Sequence, residues 1–111
     1  MNAAAIRHDT VLLFRQPLAR NIIRFRILTA SEDIAQCSIV CWKRSAPKKR
    51  FTFSLQIRAQ DRQNAEWVVE TVFPEEAHYI KYFFRLKDRE GEEGFWSERG
   101  FTKEEPIEGF F

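Results

Sequence analysis

The stretch FTFSLQIRA, residues 51–59, alternates apolar and polar side chains without a break. One set is Phe51, Phe53, Leu55 and Ile57, and the other is Thr52, Ser54, Gln56 and Arg58. Because successive side chains of a β-strand point to opposite faces of a sheet, this pattern predicts a strand with one buried face. The period of two therefore indicates β structure and not a helix.

Four further runs have the same character. NIIRFRIL (21–28) places Ile23, Phe25 and Ile27 on one side and two arginines on the other. IAQCSIVCW (34–42) is apolar on both sides, with Ala35, Cys37, Ile39 and Cys41 on one and Ile34, Ser38, Val40 and Trp42 on the other. EWVVETVF (66–73) and YIKYFFRL (79–86) complete the set. The run 34–42 is expected to be covered on both faces.

Short polar segments rich in Pro, Gly, Asp, Asn and Ser separate these runs, and no segment has a sustained 3.6-residue stripe. Many short strands without helices for crossovers predict an all-β fold. We expect an immunoglobulin-like antiparallel β-sandwich of about seven to eight strands. A barrel of the SH3-like or OB type is the alternative topology.

The totals limit the class of protein. A chain of 111 residues is expected to form one domain. Its 18 basic and 16 acidic side chains leave a net charge of +2, which is low for a dedicated nucleic-acid binder. The N-terminal stretch does not resemble a signal peptide, and no run approaches the ~20 apolar residues of a membrane span. We expect a soluble, cytoplasmic domain with no nucleic-acid or membrane partner.

Cys37 and Cys41 are the two cysteines. On one strand, four residues apart, their Cα atoms would lie about 13 Å from each other, whereas a disulfide needs about 4.4–6.8 Å. We expect two buried free thiols. Two cysteines and two distant histidines also make a poor ligand set, so no metal or cofactor is predicted.

The strand 79–86 carries the main candidate surface. Ile80, Tyr82, Phe84 and Leu86 share the face expected in the core, while Tyr79, Lys81, Phe83 and Arg85 share the other. Two rings and two cations on an outward face suit stacking on sugar, cation–π contact or a protein partner. The alternative is that another chain segment or a neighbouring strand covers Tyr79 and Phe83. Trp96, after the DREGEEG turn (88–94), is expected to be the most exposed tryptophan, and Trp42 is a further candidate. Gly91 and Gly94 are expected to permit positive φ in that turn.

The sequence contains no motif that indicates a catalytic site. The paired glutamates lie in predicted turns or in the tail, and no phosphate loop or nucleophile elbow is present. No catalytic residue is predicted. The basic segment 43–50 could contact single-stranded nucleic acid, but no aromatic RNA-binding motif accompanies it and a solvated loop is the simpler interpretation.

The region 65–111 supplies a resemblance. Trp67, the run KYFFRL (81–86) and WSERGF (96–101) resemble the N-terminal immunoglobulin-like domain of neopullulanase, cyclomaltodextrinase and maltogenic amylase. AAIRH (4–8) is similar to the Ala-Ile-His-His opening of that family. The domain is counted there as a carbohydrate-binding module of starch-active enzymes.

The resemblance implies a non-catalytic accessory domain of an enzyme that hydrolyses α-1,4- and α-1,6-glucans. It implies a sandwich over residues 1–103, a linker beginning at 104–111 and a catalytic (β/α)₈ barrel beyond it. The implied partners are α-glucan or malto-oligosaccharide, a second subunit of a homodimer, and that barrel. The alternatives are a sandwich that only contacts proteins and a nucleic-acid-binding domain that uses the basic segment.

Overall fold

The computed structural model describes residues 1–111, and its regular secondary structure is almost entirely β-strand. A short 3₁₀ turn (Ala3–Ala5) precedes nine strands. These are β1 (Arg15–Ala19), β2 (Ile22–Ala30), β3 (Ile34–Lys43), β4 (Ala46–Ser54), β5 (Gln56–Gln60), β6 (Asn64–Val72), β7 (Ile80–Asp88), β8 (Glu93–Ser97) and β9 (Gly100–Thr102). The structure has no helix with the length and apolar character needed to cross a membrane.

The strands form two antiparallel sheets. One has four strands in the order β1-β2-β6-β5, and the other has five in the order β4-β3-β7-β8-β9. This confirms the predicted antiparallel sandwich, with nine strands in place of seven or eight. Two separate sheets also decide against the barrel alternatives.

The pattern that led to the fold assignment belongs to two strands. β4 ends at Ser54 in the five-stranded sheet, and β5 begins at Gln56 in the four-stranded sheet. Between them Leu55 is buried, and its N–H donates to the carbonyl of Cys37 at 2.9 Å. The single strand predicted over 51–59 is therefore wrong, because the chain crosses the core at Leu55. Ile57 is exposed, since β5 is an edge strand with an irregular register after it.

The core lies between the sheets and is rich in aromatic side chains. The predicted inward residues of β2 and β7 are confirmed: Ile23, Phe25, Ile27, Ile80, Tyr82, Phe84 and Leu86 are all buried in one cluster. Trp67 joins them from β6, and its Nε1–H donates to the hydroxyl of Thr29 at 3.0 Å. Alternation thus worked where a strand keeps a regular register over its length.

The start of β3 departs from the predicted faces. Ile34 is buried in the core and Ala35 is exposed, the reverse of the prediction, because the register shifts between Ile34 and Gln36. Such a bulge adds a residue to one strand and inverts the faces before it. From Cys37 onward the predicted faces hold. Cys37 and Cys41 are buried free thiols, as expected.

The C-terminal residues return to the sandwich. Phe110 exchanges two backbone hydrogen bonds with Tyr82, of 2.7 and 3.1 Å, and its side chain is buried in the core. Gly109 allows this pairing, because a Cβ at that position would overlap the Tyr82 carbonyl. Phe110 is therefore a core residue, although it lies beyond the boundary predicted at residue 103. The linker to a further domain at 104–111 stays a prediction.

Candidate functional site

The predicted outward face of β7 is largely covered. Phe83 is fully buried, and Trp42 is nearly so. With Val40 and Phe95 they form a second cluster on the outer side of the five-stranded sheet. The guanidinium carbon of Arg50 lies 4.1 Å from the Trp42 ring centroid and covers it. The prediction that Phe83 presents a free ring is therefore wrong, and neither ring is free to stack on a ligand.

The cations of the same face are engaged as well. Arg85 donates to Glu105 at 2.8 Å, and its guanidinium carbon lies 5.8 Å from the Phe95 ring centroid. Lys81 is half-buried and stands opposite Trp42 in the β3–β7 register. Arg85 covers the apolar ring of Phe95, as long cationic side chains commonly do. The two cations do not frame an open site.

Trp96 is the most exposed of the three tryptophans, as predicted, but it faces inward. Its ring packs against the main core, and its Nε1–H donates to the carbonyl of His8 at 3.1 Å.

The neighbouring Gly94 has no positive φ, contrary to the prediction. An added Cβ there would overlap the ring of Phe101, so close packing explains this glycine.

Tyr79 is the one predicted site residue with a freely exposed ring. It lies just before β7, and 67% of its surface is accessible. Its φ of 52° places it in the left-handed region, which a bulky residue seldom adopts. Its carbonyl accepts the N–H of Arg44 at 3.0 Å, which ties the turn to the β3–β4 hairpin. Strained residues of this kind cluster at active and binding sites, so Tyr79 is a candidate for a functional position.

Phe111 lies beside Tyr79. The ring centroids are 6.3 Å apart, and the ring planes are within 14° of parallel. The guanidinium carbon of Arg44 lies 5.4 Å from the Tyr79 centroid and 5.5 Å from that of Phe111. We call Tyr79 and Phe111 the aromatic platform. The contacts of Phe111 and Arg44 with Tyr79 were not predicted from the sequence, since only folding brings these residues together.

A cleft of about 340 Å³ opens next to the platform. Its lining comes from β1, β2, the segment before β7, the start of β7 and the C-terminus: Arg15, Pro17, Ile23, Phe25, Ala77, Tyr79, Ile80 and Phe111. The lining is mainly apolar, with one cation. Arg15 is half-buried and takes part in none of the ion pairs of the structure.

Polar groups line the approach to the platform. His78 lies 2.8 Å from Glu76 through Nε2, and Arg20 lies 3.6 Å from the same carboxylate. Lys43 donates to Glu75 at 2.9 Å, and this hydrogen bond holds the pKa of the Glu75 carboxyl below its ordinary value. No group of three or more His, Cys, Asp or Glu side chains is arranged to hold a metal ion.

The family assignment follows from comparison with known proteins. The family described as "Alpha amylase, N-terminal ig-like domain" matches residues 1–111. The chain belongs to this family. This confirms the resemblance, which was predicted over nearly the whole chain and was most specific toward the C-terminus.

Two solved structures have the same fold. A cyclomaltodextrinase superposes with a TM-score of 0.84 and 21% identity over 97% of this chain. The type III pullulan hydrolase from Thermococcus kodakarensis superposes with a TM-score of 0.62 and 12% identity over 87%. This chain covers only 18% of the cyclomaltodextrinase chain and 16% of the pullulan hydrolase chain. Comparison with the sequences of curated proteins gives no match.

Proposed function

We propose that this chain is the non-catalytic accessory domain of an enzyme of the neopullulanase and cyclomaltodextrinase type, and that it binds α-glucan. The observation that supports binding is the exposed ring of Tyr79 in its left-handed backbone conformation. The parent enzyme would act on α-1,4- and α-1,6-glucans through a barrel elsewhere in its chain.

The chemistry of the aromatic platform supports a sugar ligand. A glucosyl ring has apolar C–H faces, which pack on aromatic rings, and hydroxyl groups at its edge, which need hydrogen-bond partners. Tyr79 and Phe111 supply the rings. Arg44 lies over both rings at a greater distance than Arg50 lies over Trp42, leaves Tyr79 67% exposed, and has no carboxylate partner among the ion pairs. A solvated surface has no need for two nearly parallel rings at one position.

Calorimetric titration of the 111-residue chain with maltoheptaose tests this proposal. Saturable binding with a stoichiometry near one is the expected result. Cellohexaose, which has the same hydroxyl groups but β linkages, is the matched control and should bind far more weakly. A folded chain that releases no heat with maltoheptaose would contradict the glucan-binding function.

A separate observation supports a protein interface. Val11, Leu12 and Leu13 are each more than half exposed in one turn before β1. The turn is well ordered by hydrogen bonds: the Asp9 carboxylate accepts the Val11 N–H at 2.9 Å, and the Val11 carbonyl accepts two further N–H groups at 3.0 Å. Adjacent exposed aliphatic side chains commonly mark a contact with another protein. We propose the turn as part of the contact with a second subunit or with the catalytic barrel.

Sedimentation velocity over a range of concentrations tests the second-subunit form of this proposal. We expect self-association that Leu12→Asp removes. Thr10→Asp, which adds the same charge to an exposed polar residue of the same turn, should leave it intact. A wild-type chain that stays monomeric at every concentration would contradict a homodimer contact made by this chain alone.

A further inference from the structure

We infer that the cleft beside the aromatic platform binds the end of a linear α-glucan, one or two terminal glucosyl residues, and not an internal stretch. This inference rests on the proposed glucan binding and specifies which part of the polymer is recognised. It depends on three features of the cleft: its size and borders, the character of its lining and the state of Arg15.

The size and borders of the cleft favour a chain end. Ligand pockets in proteins commonly measure about 300–1,000 Å³, and this cleft of about 340 Å³ is at the small end of that range. Pro17 borders it from β1, Ala77 from the segment before β7, Ile80 from the start of β7 and the buried Phe25 from β2. An internal glucan stretch must enter and leave its site, so it needs a groove that is open at both ends. A cleft of this small volume, lined by four parts of the chain, has room for only a short terminal group.

The cleft is lined mainly by apolar side chains, with the aromatic ring of Tyr79 at one side. Pro17, Ile23 and Ile80 present only hydrocarbon to the cleft, and Tyr79 adds a ring at its rim. The C–H faces of a glucosyl residue can pack against such a lining while its hydroxyl groups turn to the few polar groups. The platform and the cleft thus share Tyr79, so one ring can contact the terminal residue and Phe111 the next.

Arg15 supplies the polar recognition. A guanidinium has five N–H donors and no acceptor, and sugar hydroxyl oxygens accept such hydrogen bonds. Arg15 is half-buried at the cleft and takes part in no ion pair. Its guanidinium also lies within hydrogen-bonding reach of the buried Tyr82 hydroxyl, so the donors that Tyr82 does not use can reach a ligand in the cleft. A chain end carries hydroxyl groups that an internal residue uses in its glycosidic bonds. Arg15 is therefore placed to distinguish the two.

The first experiment compares ligands with and without ends. Calorimetry of the wild-type chain would measure maltose, maltotriose, maltoheptaose and β-cyclodextrin, a closed ring of the same glucosyl residues. We expect similar affinities for maltotriose and maltoheptaose, and affinity at least about tenfold lower for β-cyclodextrin. Equal affinity for the ring, or affinity that keeps rising with chain length, would overturn end recognition while leaving glucan binding in place. No binding of any of these ligands would contradict the proposed function itself.

The second experiment locates the site. Tyr79→Asn removes the ring and retains a residue that tolerates positive φ, and Arg15→Gln removes the charged donors. Each should weaken maltotriose binding by about tenfold or more, whereas Arg62→Gln, on an exposed turn, should change it by less than about twofold. Thermal melting confirms that each variant is folded. Maltotriose binding that survives both substitutions would place the site elsewhere and overturn the inference.

Discussion

The imidazole of His8 and the phenol of Tyr82 meet inside the sandwich, with Nε2 of His8 2.8 Å from the Tyr82 hydroxyl oxygen. Nδ1 of His8 lies 2.6 Å from the carbonyl oxygen of Arg26, which can only accept. Nδ1 therefore carries the proton, and Nε2 accepts a hydrogen bond from Tyr82. This neutral pair joins the N-terminal segment, β2 and β7.

Burial of this pair predicts a loss of stability in weak acid. Desolvation lowers the pKa of His8 from 6.5 to about 4, so the folded state resists protonation that the unfolded state accepts. The stability is fully present above pH 6.5 and is lost as the pH falls toward 4. The pKa difference corresponds to a loss of about 3 kcal/mol in the free energy of unfolding. Urea unfolding at pH 7.0, 5.5 and 4.5 measures it, with most of the loss present by the last value.

His8→Gln is the control for this prediction, because glutamine keeps a donor and an acceptor without titrating. The variant is expected to be less stable at pH 7 but nearly independent of pH between 6.5 and 4.5. Asp61 and Asp88 contribute little to the comparison, because the ordinary aspartate pKa of 3.8 already lies below that window and folding lowers it further. Glu75, whose pKa is lowered from 4.5, contributes equally to the variant and to the wild type. An equal pH dependence in the variant and the wild type would show that His8 is not the responsible group.

The covered position of Phe83 predicts that it affects stability and not ligand binding. Phe83→Leu leaves an imperfect fit beneath Arg50 and beside Phe95, and should lower the free energy of unfolding by about 1 kcal/mol. Its affinity for maltotriose should equal that of the wild type. Tyr79→Asn should do the opposite, weakening binding without destabilising the fold. Calorimetry and urea unfolding of both variants separate the two roles, and a weakened affinity in Phe83→Leu would contradict them.

Close approach at Gly109 predicts a specific local defect. In Gly109→Ala the new methyl group would push the chain away from the Tyr82 carbonyl and break the two hydrogen bonds of Phe110. Amide hydrogen exchange at Tyr82 should accelerate, while the β2–β6 ladder stays protected. Glu108→Ala, on the exposed neighbouring residue, serves as the control. Unchanged exchange at Tyr82 would mean that the C-terminal segment is not held in this way.

Burial of Cys37 and Cys41 predicts thiols that are inert in the native protein. Burial raises the pKa of both well above the ordinary value, so neither forms a thiolate at neutral pH. The thiol reagent DTNB should detect no thiol in the native chain at pH 8 and both thiols in denaturant. Rapid reaction of the native chain would show that the strands around β3 open readily.

Regular strands were predictable because their pattern depends only on their own residues. The faces of β2 and β7 are correct in the core, where each inward side chain meets the opposite sheet. The crossing at Leu55 and the bulge after Ile34 were not predictable. At Leu55 the alternation continues through the change of sheet, and a bulge leaves no distinct mark in the sequence. Both depend on how two sheets close around one core.

The residues of the candidate site were even less predictable from the sequence than the strands. Tyr79 was selected as part of an outward face, yet its neighbour Phe83 on that face is buried. Alternation reports to which side of a strand a ring points, but not whether a distant arginine covers it. Arg15, Arg44 and Phe111 reach Tyr79 from other parts of the chain through folding alone.

The sequence by itself determined the sandwich and the family. Alternation, turn residues and the motifs near the C-terminus are local patterns, so they can be recognised without knowing which residues are in contact. Only the tertiary structure decided which rings stay exposed, which pair forms the aromatic platform and where a cleft opens. Those properties depend on packing between segments distant in the chain, and no local pattern encodes them.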